Sequence, residues 1–312
     1  MDGSRAPGAG GARPGGRGSV LRSLRRHRAP YLLLAPSLLL LLAIVAYPIL
    51  DTFVTAFFKT DPAGRRSVFA GLDHFRGMAQ ELLFRQILGR TFLWTVLSVS
   101  LKTLIGLVAA LLLHTGLPGM HLARLLVILP WAFSLPIAAI LWRWIYDSQM
   151  GMLNLLLAAL GLPPQTWLAE PGLAFGATLT VSVWTGVPFM ALVFLAGLQA
   201  IPEEFYEAGR IDGAGRWQEF CWLTMPLLKP TFAVATLLSA VWTFNSFVIV
   251  HVITGGGPLH ATDILVTYLY KTAFEWLTFG QASAMALVIF VILFLFSVGY
   301  IRLYFREEVL SP

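Results

Sequence analysis

Long apolar runs alternate along this chain with polar or Pro/Gly-rich connectors of very unequal length. A helix needs about 20 mainly apolar residues to cross the hydrocarbon of a bilayer. Six stretches meet that requirement: residues 31–50, 91–113, 122–146, 173–199, 231–253 and 282–304. The pattern predicts an all-α membrane protein, a bundle of six transmembrane helices. A first helix is expected over 31–58, a polar loop over 59–90, a core of five helices over 91–305, and a short tail at 306–312. Residues 1–30 are rich in Gly, Ala, Pro, Ser and Arg, which cannot bury a core and predicts a disordered basic tail.

That tail and the apolar run after it have the outline of a secretory signal. No small-x-small cleavage site follows, however, and apolar character continues through Phe53, Val54, Phe57 and Phe58. An uncleaved first span is expected. Orientation follows from Lys and Arg near the span ends. Arg5, Arg13, Arg17, Arg22, Arg25, Arg26 and Arg28 precede the first span and place the N-terminus in the cytoplasm. Alternation then puts the C-terminus and the 200–230 loop inside, and the 59–90, 147–172 and 255–281 segments outside. The first outer loop cuts against the rule, because it carries Lys59, Arg65, Arg66, Arg76, Arg85 and Arg90.

Pro36, Pro130, Pro136 and Pro188 fall within spans. Neighbouring helices can satisfy the carbonyls they free, so they read as kinks. Packing is the simplest use for each, and a bend that opens a cavity is the alternative.

Composition supports the membrane reading. The chain is 57% hydrophobic and 12% charged, whereas a soluble domain is about 25% charged. A single cysteine, Cys221, rules out a disulfide scaffold and cannot form a redox pair or a zinc knuckle by itself. The net charge of +6 comes from arginines in the tail and at span ends, with no basic stripe interleaved with aromatics, so no nucleic-acid partner is expected. There is no GxxxxGK[ST] to cradle ATP phosphates, and no HExxH, GxSxG or His/Cys cluster. No catalytic residue, metal site or cofactor of its own is expected. The run Gly255-Gly256-Gly257-Pro258 reads as a tight turn after the fifth span.

Acids are nearly absent from the spans, which disfavours an ion- or proton-coupled secondary transporter, the leading alternative. A membrane-embedded enzyme, the other rival, would need a deep cluster of His, Asp or Ser/Lys. Only Lys102 lies deep in a span, and it reads equally as a functional cation or as a packing residue bonded to a neighbouring helix.

The most informative segment is 201–230, IPEEFYEAGRIDGAGRWQEFCWLTMPLLKP. Pro202, Glu203 and Glu204 make a good helix start, since proline fits the first turn and acids oppose the positive end of the dipole. Asp212-Gly213 signals a turn, and a second amphipathic piece follows with Trp217, Phe220, Leu223 and Leu227 on roughly one face. A helix–turn–helix outside the membrane is predicted, with small residues at Ala208, Gly209, Gly213 and Ala214 that admit a partner closely.

In these residues the chain resembles the permease subunits of binding-protein-dependent ATP-binding-cassette importers, whose signature is the EAA loop E-A-A-x-x-D-G-A-x5-F-x-x-I-x-L-P-x-x-x-P. Here the matching positions are Glu207, Ala208, Gly209, Asp212, Gly213, Ala214, Phe220, Leu223, Met225, Pro226 and Pro230. Gly209, Leu223 and Met225 depart from the pattern but keep small or apolar character. The resemblance covers about 31–305. The segments APSLLLLLAIVAYPIL, Gly71-Leu72-Asp73-His74-Phe75, Gly151-Met152-Leu153-Asn154, Leu198-Gln199-Ala200-Ile201-Pro202 and Thr254-Gly255-Gly256-Gly257-Pro258 look like the carbohydrate-uptake branch. The last is similar to one member of a heterodimeric permease pair.

The resemblance implies a type I importer permease fold in a bacterial or archaeal cell membrane. Its expected partners are a second, non-identical permease, two cytoplasmic ATPases that hold ATP and Mg, an external solute-binding protein, and membrane lipid. It also implies that the EAA loop is a coupling helix docked on an ATPase, with Glu207 pairing with a basic residue and Asp212, Gly213 and Ala214 forming a buried turn. The expected cargo is a sugar or related polyol, glycerol phosphate included. Polyols are bound by aromatic faces and by amide or hydroxyl groups. The candidates in the later spans are Trp184, Thr185, Trp242, Thr243, Asn245 and Ser246.

Overall fold

A computed structural model describes residues 28–115 and 119–305. The expected basic tail before residue 28 and the one after 305 lie outside the described residues. The chain divides into Met1–Thr52 and Phe53–Pro312.

Helix α1 runs over 28–55 and carries a π-helical turn at Leu42–Ala46, just before Pro48. A proline at position i clashes with the carbonyl of i−4 and offers no N–H to it; widening the turn relieves both problems. The same device recurs in α9 (Arg216–Phe244), whose π-helical turn at Phe220–Thr224 lies just before Pro226. Pro226 and Pro230 therefore stand inside one long helix that begins well before the apolar run at 231.

After α1, strands β1 (Phe58–Thr60) and β2 (Arg66–Phe69) form an antiparallel hairpin, followed by α2 (Asp73–Gln80). Helix α3 (Leu82–His114) starts nine residues before the apolar stretch at 91. Helix α7 (Pro171–Gln199) packs along α3, and glycines set the closeness of the two. A β-carbon added at Gly106 would stand 2.4 Å from Met190 Cβ and 3.1 Å from the backbone nitrogen of Ala191. In lipid, where apolar contact with solvent is no penalty, small residues that let backbones approach are the main source of helix association.

The expected third span is broken. Helix α4 (Met120–Ile128) runs into a 3-10 turn at Leu129–Ala132, and α5 (Leu135–Ile145) departs at 96°. Pro130 lies in the turn, Ser134 is extended, and Pro136 opens α5 within its first turn. Two prolines six residues apart in sequence remove two ladder bonds, which weakens a continuous helix here. The fifth span is also interrupted: α9 stops at Phe244, and α10 (Phe247–Thr254) begins after Asn245 and Ser246. Helices α6 (Met152–Ala159) and α8 (Glu203–Ile211) are short connectors. Beyond α10 lie α11 (Leu265–Tyr270), continued by a π-helical turn at Lys271–Glu275, and α12 (Phe279–Phe305). Helices α1, α3, α7, α9 and α12 are each long and apolar enough to cross a bilayer, and the bent pair α4–α5 makes a sixth if its limbs count as one span.

Within Phe53–Pro312 the interior is built in clusters. Ala110, Leu113, Met190, Phe194, Leu198 and Leu228 join α3, α7 and α9. Ala139, Tyr146, Val181, Ile249 and Ile253 join α5, α7 and α10. Ile87, Phe244, Leu265, Tyr268 and Met285 tie α11 and α12 to the start of α3.

Candidate functional site

The broken third span, α3, α7 and the interrupted fifth span line an open cavity of about 290 Å³. Two stretches, on α7 and along the fifth span, supply its hydroxyl groups. On α7 the positions are Ser182, Thr185, Gly186 and Phe189; on the fifth span they are Ser239, Trp242, Thr243 and Ser246. Both sets follow the i, i+3, i+4, i+7 spacing of a single helical face. The break contributes Pro130, Trp131, Phe133 and Leu135, and α3 contributes Lys102. Of the two prolines in the third span, Pro130 thus borders the opening, and Pro136 does not line it.

Aromatic rings are fixed around this space. Trp131 stacks on Phe189 with centroids 6.2 Å apart, and Trp242 meets Phe189 edge-on at 4.9 Å. The Trp131 indole donates to the Thr185 carbonyl at 3.2 Å, which pins the break to α7. Thr185 Oγ1 donates to the Val181 carbonyl at 2.9 Å, leaving its lone pairs available. Thr243 is held from two sides: its carbonyl accepts from Trp94 Nε1 at 3.2 Å, and its Oγ1 accepts from Lys102 Nζ at 2.8 Å.

Of the six residues singled out from the sequence, Thr185, Trp242, Thr243 and Ser246 line this cavity together. Trp184 does not. It lines a separate apolar cavity of about 500 Å³ with Leu101, Val127 and Val183, and meets Trp142 edge-on at 5.6 Å. Asn245 lines neither cavity. It is exposed at the interruption and donates its amide to the Val241 carbonyl one turn back at 3.1 Å. Ser182, Ser239, Trp131, Phe133 and Phe189 were not singled out from the sequence, although the helical spacing around Trp242 and Thr185 points to the two serines and Phe189.

The 201–230 segment forms the expected helix–turn–helix. Helix α8 begins with Pro202 extended before Glu203, and Asp212 ends it. Gly213 adopts φ +82°, a conformation that a β-carbon strains, and Ala214 N–H then bonds back to the Gly209 carbonyl at 2.9 Å. Gly215 opens α9, its N–H held by Gln218 Oε1 at 2.8 Å. Arg210 ties the limbs together, with Nε 3.1 Å from Glu219 Oε1 and the guanidinium also 3.6 Å from Glu203. Tyr206 and Thr224 share a second link at 3.1 Å. Gly209 faces Leu223, and an added β-carbon would come 3.0 Å from its Cδ1, a tight contact with the end of a flexible side chain. Glu207, Ala208, Asp212 and Gly213 are exposed, Ala214 and Phe220 are half-buried, and Pro226 is exposed within α9. Around them Phe205, Ile211, Trp217 and Trp222 present large apolar surface.

The turn after α10 is a third polar centre. Asp263 is fully buried there, with Oδ2 at 2.7 Å from Lys271 Nζ and 2.6 Å from His260 Nδ1, while Oδ1 accepts from Thr267 Oγ1 at 2.8 Å. Thr262, also buried, donates to the Gly257 carbonyl at 2.8 Å. The Gly-rich turn is therefore wrapped on a buried ionic core, which the sequence alone did not disclose.

A broken-helix bundle around a small cavity of aromatic and hydroxyl side chains, with a cross-linked helix–turn–helix between its fourth and fifth spans, is the architecture of a multi-span membrane subunit. Residues 102–309 match the family model described as "Binding-protein-dependent transport system inner membrane component". A probable ABC transporter permease protein of Brucella suis biovar 1 is 39% identical over 287 residues, 91% of this chain and 99% of that protein. The trehalose/maltose transport system permease protein MalF of Thermococcus litoralis is 35% identical over 281 residues, 89% of this chain and 94% of that protein. A chain of a bacterial ABC transporter involved in import of the acidic polysaccharide alginate superposes with a TM-score of 0.83 at 22% identity, covering 92% of this chain and 99% of that one, and shares the fold. The chain belongs to the inner membrane components of binding-protein-dependent transport systems: it is an ABC transporter permease of the type I importer fold, a transport subunit rather than a catalytic one.

Proposed function

We propose that this chain forms one half of the solute pathway of an ATP-driven importer for sugars or related polyols. It pairs with a second, non-identical permease, receives solute from an extracytoplasmic binding protein, and is driven by two cytoplasmic ATPases that bind ATP and Mg. Both termini and the 201–230 loop face the cytoplasm.

The observation that carries this reading is the build of the loop. A lever transmits displacement only if it is stiff. Here Arg210 bridging Glu203 and Glu219, the Tyr206–Thr224 link and the continuity of α9 from Arg216 to Phe244 connect the hairpin directly to the cavity wall at Trp242 and Thr243. The exposed Phe205, Ile211, Trp217 and Trp222 are the kind of ridge that seats in a cleft of another protein. Glu207, exposed beside them, would meet a basic residue of the ATPase. Closure of the ATPase dimer on ATP would then select between inward- and outward-open packings that differ by a few kcal/mol.

The sugar assignment draws on the name of the Thermococcus relative and on a cavity that sets Trp242 and Trp131 beside Ser182, Ser239 and Thr185. Flat rings pack on the C–H faces of a pyranose while hydroxyls meet its rim.

The test is Glu207→Arg and Gly213→Val in the assembled transporter. Each is expected to abolish uptake and ATPase co-purification while the permease stays in the membrane at normal amount. Survival of both activities in either variant rules out docking through this loop.

A further inference from the structure

Lys102 is a cation inside a span whose surroundings supply no anion. Its side chain is 7% exposed, and the ammonium donates to Thr243 Oγ1 at 2.8 Å. An ammonium has three donors, so this bond leaves two unspent at the cavity wall. The stretches that frame the cavity, 91–113, 122–146, 173–199 and 231–253, contain neither Asp nor Glu. Lys102 takes no part in the ion pairs that Arg210, His260 and Lys271 make with Glu203, Glu219 and Asp263.

The position is also built for a long basic side chain. A β-carbon at Gly186 would stand 2.5 Å from Lys102 Cε and 2.6 Å from its Cδ, so α7 gives up a side chain to make the slot. Leaving a charge unpaired at this depth costs several kcal/mol. A neutral solute returns none of that, whereas an oxyanion entering the cavity supplies the missing counter-charge. Lysine is a compact point charge on a flexible stem, which suits a carboxylate, phosphate or sulfonate equally.

We propose that Lys102 is the anion-recognition group of the solute pathway, and that the solute carries an oxyanion on a polyol frame. Lys102 meets the charge, Ser182 and Ser239 meet hydroxyls, and Trp242 covers the C–H face. This rests on the importer reading above and narrows its substrate class.

The experiment uses the complete transporter (both permeases, the ATPases and the binding protein) in proteoliposomes, with radiolabelled glucuronate, glycerol phosphate and glucose as probes. Wild-type uptake of at least one anion is expected to exceed that of glucose by about tenfold or more, and Lys102→Met to cut that ratio by about tenfold, the value of one hydrogen bond to a charged group. Lys102→Arg keeps the ratio. Gly186→Ala, which pushes the ammonium off Thr243 without removing it, lowers the ratio too and decides the matter if Lys102→Met fails to assemble. The two anions separate a carboxylate cargo from a phosphate one. Preference for glucose over both anions, or an unchanged ratio in the assembled variants, overturns the charge assignment and leaves the importer reading standing. Absence of ATP-dependent uptake of every probe, with no ATPase co-purifying, overturns the importer reading itself.

Discussion

Gly256 and Asp263 occupy adjoining space so closely that a β-carbon on the glycine would fall 1.8 Å from the aspartate Oδ1. The backbone at Gly256 is held at φ +86°, and the carboxylate it covers is fully buried against Lys271 and Thr267.

Gly256→Ala therefore combines a left-handed backbone with a steric overlap, and is expected to destabilise the turn by at least about 1–3 kcal/mol. Asp263→Asn strips Lys271 of its partner and should cost about 3–5 kcal/mol, because one charge is left behind. Asp263→Asn combined with Lys271→Met removes both charges and should recover much of that loss. Thermal unfolding of the detergent-solubilised complex ranks the three; a double variant no better than the single one contradicts the ionic account.

A second prediction concerns the α3–α7 seam. Since the atoms facing Gly106 are Met190 Cβ and a backbone nitrogen, no rotamer change can make room, and Gly106→Ala must push the helices apart. A loss of about 1–3 kcal/mol is expected, the usual range for overpacking. Gly89, also on α3, has nothing within 4 Å of its would-be β-carbon. Gly89→Ala should be neutral or gain up to about 1 kcal/mol from helix propensity. Equal melting temperatures for the two alanine variants would count against the seam.

The third prediction is a pH dependence. Tyr268 on α11 is 1% exposed and donates to Glu81 Oε1 at 2.7 Å. Burial first, and the Glu81 acceptor and charge after it, push the phenol well above its ordinary value. A raised phenol pKa means that its contribution is complete at neutral pH and is lost as pH rises past the unfolded value of about 10. Tyr268→Phe should flatten the alkaline limb of stability against pH while leaving the limb below pH 7 in place. An unchanged alkaline limb would assign that loss to other groups.

The helical spans were legible because lipid imposes a length and a composition, and the hairpin was legible because Asp212-Gly213 and the Pro202 start carry their own backbone chemistry. What escaped was set by contacts far apart in sequence. Pro130 and Pro136 announce weakness in a helix but neither a 96° corner nor the bond from Trp131 to the Thr185 carbonyl that stands at it. Asn245 reads as a mid-span amide in need of a partner, yet the helix ends at Phe244 and the amide turns back on Val241. Trp184 and Thr185 are neighbours in sequence and face different cavities, since adjacent positions on a helix point about 100° apart. Asp263 looks like one more polar loop residue until the fold closes Lys271 over it.

The corner at residues 129–135 has a mechanical corollary. Neither Pro130 nor Pro136 owns an amide hydrogen, so straightening this stretch would never regain the bonds that reward a continuous helix. The elbow therefore forfeits little by staying bent, and the Trp131 indole on the Thr185 carbonyl ties it to α7. A shift of α7 would reach both limbs through that one bond.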